Sequence, residues 1–479
     1  MMRLRLSLIG LATLLLSSCM VGPDYLRPSV PMTPAYKESP PPGDGWKIAQ
    51  PSDHTPRGNW WEMFGDPQLN ALAEQVAVAN QDLKAAEARF REARALIRFN
   101  RAAEFPTIST GPSISSIRDS LHRPYTTSTF TTSDFLLPFD LSYELDLWGR
   151  VRRTVAAARE EAQATAADLE TARLSLQAEL ALDYFELRSV DAQQQLLDDT
   201  VQAFTAALQL TVNRFEGGAA PKSDVAQAQT QLETTRVQAT DVAVQRAQFE
   251  HAIAVLIGQP PAAFSLPPAP LNLQPPAIPV GLPSQLLERR PDIAAAERRV
   301  AEANEQIGIA QAAFFPTVTL NASAGFEGTS IGNVLMGSSL FWAVGSSATQ
   351  ILFDAGRRRA TSDAAIANYD PTVATYRQTA LTAFQQVEDN LAALRVLVQE
   401  AEEQRRAVAA AQEFLQLATN RYKGGVDTYL QVVTAQTFAL TNELNAVNIL
   451  LRRMNASVLL IKALGGDWNV ADLPSLADG

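Results

Sequence analysis

Catalysis needs reactive side chains brought close together, and this chain of 479 residues offers few. Its three histidines, His54, His122 and His251, fall in a Pro-rich linker, a loop and a helix, and none has the spacing of a metal ligand or a nucleophile's base. No Gly-rich phosphate loop follows a strand. Acid pairs such as Asp198-Asp199 and Glu402-Glu403 lie in helical charge runs, whose ordinary role is a solvated face. Neither an enzyme site, a metal site nor a bound cofactor is expected. The one reactive group with a distinctive setting is a thiol. Cys19, the only cysteine, ends the apolar run Leu6 to Leu16 plus Ser17-Ser18, with Arg3 and Arg5 ahead of it. That is the layout of a secretory signal peptide.

Leu16-Ser17-Ser18-Cys19 resembles the bacterial lipoprotein signal. The resemblance implies that residues 1–18 are removed and that Cys19 carries a diacylglyceryl group through its sulfur, the only covalent addition expected. Met20 follows, not Asp, so the inner-membrane retention signal is absent. Losing Arg3 and Arg5 takes the net charge from −11 to −13, which argues against nucleic acid as a partner. A lipid anchors a chain without making it span. No later segment supplies about 18 to 20 consecutive apolar residues, so no membrane-spanning helix is expected. Residues 19–58, rich in Pro and Gly, read as an extended tether along the body.

The remainder is written twice. Asp82 through Phe105-Pro106-Thr107 recurs as Asp292 through Phe315-Pro316-Thr317, an offset of 210 (316 − 106). Asn213-Arg214-Phe215-Glu216-Gly217-Gly218 recurs as Asn420-Arg421-Tyr422-Lys423-Gly424-Gly425, an offset of 207 (424 − 217). The copies end at Ile257-Gly258 and Leu464-Gly465. Self-similarity on this scale means a duplicated structural unit. Residues 59–265 form the first copy and 266–466 the second, each a helix, two strands and a long helical hairpin; 467–479 are a tail.

Two element types must be joined within each copy. Arg150 to Glu216 contains neither Gly nor Pro, which at 1.5 Å per residue is about 100 Å of helix. Arg357 to Lys423 matches it, with an interruption expected at Asp370-Pro371. Return helices follow over Lys222 to Ile257 and Val426 to Leu464. Asp66 and Pro67 are set to start an earlier helix as N-cap and N1.

The strands are of a different kind. Phe135, Leu137, Phe139, Leu141, Tyr143, Leu145 and Leu147 alternate with a face bearing Asp134, Asp140, Ser142, Glu144 and Asp146. Val318, Leu320, Ala322, Ala324 and Phe326 alternate with Thr317, Thr319, Asn321 and Ser323. Runs of about ten alternating residues suit a transmembrane β-strand, apolar to lipid and polar to a lumen. Asp140, Glu144 and Asp146 are then lumen candidates. Thr107 to Ile117 and Leu340 to Phe353 are weaker partners, with Tyr143 and Phe341-Trp342 as candidate interface aromatics. Four strands cannot close a membrane barrel, which begins at about eight. Two chains would give a barrel filled by its own side chains, and three would give twelve strands around water. The competing reading of such long Ala-rich helices is a lipid-anchored coiled-coil scaffold of the periplasm without a pore.

From Cys19 to about Trp468 the chain resembles the lipoprotein (NodT-type) branch of the TolC/OprM-like outer-membrane efflux factors of RND-type systems. The resemblance is carried by Cys19-Met20-Val21-Gly22-Pro23-Asp24-Tyr25, Trp60-Trp61, Phe64-Gly65-Asp66-Pro67 and Tyr143-Glu144-Leu145-Asp146-Leu147-Trp148-Gly149-Arg150. Glu288-Arg289-Arg290-Pro291-Asp292-Ile293 and Arg421-Tyr422-Lys423-Gly424-Gly425-Val426-Asp427 complete it. It implies a membrane α+β fold: a homotrimer whose four strands per chain complete an outer-membrane β-barrel, continued by a periplasmic α-helical barrel. It implies also a passive exit duct for small molecules such as drugs, joined by a periplasmic adaptor to an inner-membrane RND-type transporter.

In that family the turns between paired helices form the periplasmic tip, where the adaptor docks and the tunnel closes. The matching positions are Gly217, Gly218, Ala219 and Pro221, then Gly424, Gly425 and Val426; an ordinary helix C-cap accounts for the glycines among them equally well. Asp427 matches an acid ringing the closed aperture, with Arg421 and Tyr422 beside it. Three symmetry-related carboxylates would repel one another unless protonated, cation-bound or paired with Arg421 or Lys423. Asp427 could equally be a helix N-terminal acid favoured by the macrodipole. Two aspartates that other members carry further along are replaced by Gln431 and Thr434.

Overall fold

A computed structural model describes residues 20–38, 59–122, 124, 130–278, 285–466 and 468–476. Cys19, the signal segment, His54 and the second half of the tether lie outside the described residues. The first copy comprises α1 (Pro67–Ala79), α2 (Gln81–Arg101), β1 (Thr107–Thr110), β2 (Ser113–Arg118), β3 (Thr131–Leu145), α3 (Arg150–Glu216) and α4 (Lys222–Leu256). The second comprises α5 (Leu286–Arg289), α6 (Pro291–Ala312), β4 (Thr317–Gly328), β5 (Leu340–Thr349), α7 (Arg357–Lys423) and α8 (Tyr429–Ala463). The duplication shows in the lengths: α3 and α7 have 67 residues each, α4 and α8 35 each.

Local chemistry explains the element ends. Asp66 accepts from the backbone N–H of Gln68 at 2.8 Å and Leu69 at 3.2 Å, capping α1 with Pro67 at its first position. Both long helices begin with arginines, cations at the positive end of a helix dipole, and carboxylates offset them. Asp146 accepts from Arg152 N–H at 2.9 Å, and Asp354 from Arg358 N–H at 3.2 Å. The interruption expected at Pro371 does not occur. Helix α7 runs through it: the proline removes only the N–H that would face the Ala367 carbonyl, and beside it the Thr372 hydroxyl donates to the Tyr369 carbonyl at 2.6 Å. Helix α8 starts at Tyr429, with Thr428 as its cap, three residues later than the glycine pattern suggested.

The strands form one antiparallel sheet in the order β1 and β2, then β3, β4, β5. β1 and β2 share one ladder position, split at Gly111-Pro112, where an edge strand tolerates proline. The register sorts the two faces. Ile108, Leu141, Ala322 and Val344 lie in one cross-strand row, and Phe139, Ala324 and Trp342 in another. Ile108, Trp342 and Val344 are 69%, 74% and 76% exposed. This apolar face is therefore turned away from the rest of the chain. Opposite it runs a polar row of Thr107, Ser142, Asn321 and Gly345, beside Ser109, Asp140 and Ser323. Trp342 falls on the apolar face, whereas Phe341, aligned with Gly325 and Pro138, falls on the other.

The core sits where α1, α6 and the middle of the long helices converge, around Trp60, Phe64, Tyr184, Phe185, Val300, Tyr376, Val387 and Met454. Helix α8 has an 18-residue window of mean hydropathy 1.2, enough by composition to cross a membrane, but 44% of that window is buried in this core. Residues 20–38 strap the outside. Arg153, buried, donates to the carbonyls of Val21 at 2.7 Å and Pro23 at 3.3 Å and pairs with Glu305 at 2.8 Å. Tyr25 bonds Glu297, and Glu388 holds the backbone of Lys37 and Glu38. Val21 N–H donates to Trp148 O at 3.1 Å, so the strap begins at the boundary between sheet and helices.

Candidate functional site

The two helical turns are built alike. Ala219 N–H donates to Arg214 O at 2.7 Å and Val426 N–H to Arg421 O at 3.0 Å, each closing a six-residue loop through a left-handed glycine, Gly218 (φ 75°) and Gly425 (φ 72°). A Cβ on either would meet nothing within 4 Å, so backbone conformation alone requires glycine there. Pro221 caps α4, and Gly217 and Gly424 end the long helices.

Beside the second turn, Arg421 Nε donates to Asp427 Oδ2 at 2.8 Å, one of the arrangements by which its charge could be offset. Asp427 sits one residue ahead of the α8 cap, outside the helix proper, so the macrodipole alone does not account for it. Tyr422 is not a surface residue. It is 3% exposed, packs edge-on against Tyr429 at 5.1 Å and joins Val432 and Ala228 in a small core at the tip. Burial pushes the Tyr429 hydroxyl up to about 12, so it stays neutral. The Tyr422 hydroxyl is buried with no hydrogen-bond partner among the described residues.

Arg214 was not among the expected residues. Its guanidinium lies 4.8 Å over the Tyr422 ring, and Nη1 donates to the Lys423 carbonyl at 3.0 Å. It thereby ties the α3–α4 hairpin to the α7–α8 hairpin. The repeat held the signal, since Arg214 is the first-copy counterpart of Arg421 at the same offset of 207 (421 − 214).

The acids of β3 divide. Asp140 lies on the polar face and accepts from Ser323 Oγ at 2.6 Å. Glu144 is on the same face but holds Arg150 through two bonds of 2.9 and 2.7 Å. Asp146 is a correction: β3 ends at Leu145, so alternation no longer places Asp146, whose carboxylate is committed to the start of α3. Leu147 drops out for the same reason. Trp148 closes this boundary, donating to Pro316 O at 2.8 Å and stacking on Phe315 at 4.7 Å, one copy on the other. Among the described residues no group of His, Cys, Asp and Glu could hold a metal.

A sheet with an outward apolar face, continued by two helices about 100 Å long, each turning back into a shorter one, defines a class: a channel of the outer membrane that extends into the periplasm. The family described as "Outer membrane efflux protein" matches residues 72–259 and 282–466, and the chain belongs to it. The toluene efflux pump outer membrane protein TtgF of Pseudomonas putida is 34% identical over 470 residues, covering 96% of this chain and 97% of its own. The outer-membrane channel OprN superposes with a TM-score of 0.86 at 30% identity, over 94% of this chain and 100% of that one. The open-state MtrE outer membrane channel of Neisseria gonorrhoeae gives 0.82 at 27% identity, over 94% and 99%. The protein is an outer-membrane efflux channel reaching into the periplasm.

Proposed function

We propose that three copies of this chain assemble into the passive exit duct of a tripartite efflux pump. One observation carries the reading. The sheet has four ladder positions, an exposed apolar face and outer strands, β5 and β1–β2, with no partner on their far side among the described residues. Four positions are too few to close a membrane barrel, and an open edge in lipid leaves backbone groups unsatisfied. Twelve strands from three chains close the circle around water. The helices then line a periplasmic tunnel, and substrate moves down its gradient through a polar interior.

The tips bearing Gly217, Gly218, Ala219, Pro221, Gly424, Gly425 and Val426 meet the periplasmic adaptor, which couples the duct to an inner-membrane RND-type transporter. Opening separates the α7–α8 hairpins near Arg421 and Asp427. No covalent chemistry is performed. Cys19 carries the lipid, and Val21 at Trp148 keeps that anchor near the sheet boundary, where a lipid tail reaches the bilayer. Small organic molecules such as drugs are the cargo, in keeping with the pump named for TtgF.

The test is extrusion by living cells. A strain lacking this chain should accumulate a fluorescent hydrophobic dye and regain export when the full-length protein is restored. Unchanged dye accumulation in both strains would oppose the reading.

A further inference from the structure

Between α7 and α8, well above the tip, lies a cleft of about 200 Å³ lined by Val408, Ala446, Ile449 and Leu450 and flanked by Arg405 and Arg453. Arg405 is satisfied by Glu402 on its own helix, at 2.6 Å. Arg453 is not: its Nε is buried without an acceptor, and burial pulls its pKa down with no carboxylate to offset it. A cation so placed is costly until an anion arrives.

The complementary surface lies on α4. Val237, Val244 and Val255 are 69%, 56% and 63% exposed, and with Asp241 they share one helical stripe. Asp241 is exposed and makes no hydrogen bond or ion pair with any described residue. Its neighbour Val242 is buried against α3 and α8, so the stripe faces away from its own chain.

Height decides whether the two can meet. The tips are level, because Arg214 reaches the Lys423 carbonyl at 3.0 Å. Asp241 lies 19 residues (241 − 222) above the start of α4, about 28 Å. Arg405 lies 18 residues (423 − 405) above the end of α7, about 27 Å. Arg453 is 24 residues (453 − 429) into α8, about 36 Å. Both α4 and α8 ascend, so side chains on both slant towards the tip, and the long Arg453 side chain comes down further than the short Asp241 one. Rotation about an axis parallel to the helices leaves every height unchanged. An acid on one copy can therefore answer only cations at its own level on the next, and Asp241 meets that condition.

Resting on the trimer reading, we infer that Val237 and Val244 of α4 in one copy seat in the α7–α8 cleft of the next, with the Asp241 carboxylate bound between Arg453 and Arg405. The occupant is thus a second copy of this chain, chosen by matching charge, apolar character and height.

Charge reversal in the full-length, membrane-extracted protein tests it. Asp241→Lys and Arg453→Glu should each lower the fraction of three-chain assembly surviving mild heating in detergent by about tenfold, and the double variant should recover it. As a check independent of stability, Val244→Cys and Leu450→Cys are placed on separately tagged copies expressed together. A short bis-maleimide should join the two tags. A three-chain wild type with no cross-link and no recovery would overturn the contact and leave the trimer intact. A cleft thiol freely reactive with a bulky water-soluble maleimide in the assembled protein would overturn it also, opening the cleft to another partner. A single-chain wild-type mass would remove the trimer reading, and this contact with it.

Discussion

The guanidinium of Arg214 stacks 4.8 Å above the ring of Tyr422 and so joins the two helical hairpins of one chain at their tips. Tyr422 in turn packs edge-on against Tyr429 at 5.1 Å, so one ring serves both contacts.

Removing this tie should loosen the tip. A cation–π contact contributes about 0.5 to 2 kcal/mol and a neutral hydrogen bond about 1. Arg214→Ala is expected to raise the resting conductance in planar bilayers and to sensitise cells to a large hydrophilic antibiotic. Tyr422→Phe keeps the ring and removes a buried, unpaired hydroxyl, so it should leave conductance low and stabilise the fold slightly. Conductance unchanged in Arg214→Ala would show that the tie does not restrain the tip.

Asp427 makes a different forecast. Its pair with Arg421 is open to solvent, 31% and 59% exposed, so it contributes little to stability. Asp427→Asn should therefore leave the melting temperature nearly unchanged while reducing cation preference in the conductance, because a carboxylate in a narrow pore favours cations. A melting temperature lowered with ion preference intact would assign Asp427 to the fold and not to the aperture.

On the sheet, Leu141 shares a row with Ile108, Ala322 and Val344 on the outward face. Leu141→Arg should cost about 2 to 4 kcal/mol if that row lies near the bilayer midplane. Ser142→Arg, one residue on and facing the other way, should be tolerated. Membrane assembly is the readout, and equal tolerance of both would remove lipid from the apolar face.

Legibility from sequence followed contrast. Breaker-free runs marked the long helices to within a few residues, and the alternation in β3 and β4 sorted their faces before any coordinates. Alternation could not sort β5, where Ala343, Gly345, Ser346, Ser347 and Ala348 differ too little in polarity; only pairing with β4 shows that Trp342 and Val344 face outward. Pro371 misled because propensity is local, whereas a 67-residue helix is held by packing along its length. The glycine turns were readable in both copies. The burial of Tyr422 was not, because it depends on α3 and α8 arriving from distant parts of the chain. Arg214 could have been found by carrying the repeat from backbone signals to side chains.

Asp183 makes the stability of the fold depend on pH. Burial, reinforced by Glu179 and Glu186, pushes its carboxyl up to about 6 from 3.8. Between those values the folded chain binds the extra proton, so this group adds stability as pH falls through the window and loses it as pH rises past about 6. Asp183→Asn should therefore melt higher than the parent near pH 7.5, with the difference narrowing below about pH 6 and closing only near pH 4. A difference that widens on acidification would reverse the assignment.

If open four-position sheets close in threes around a lumen, the assembled protein is hollow. Mass and averaged electron-microscope projections of the detergent-purified protein test it most directly. Three chains in a hollow cylinder are expected, with a detergent belt at one end and a long tapering body. A single chain, or a thin solid rod without a lumen, would contradict it and return the molecule to a lipid-anchored scaffold.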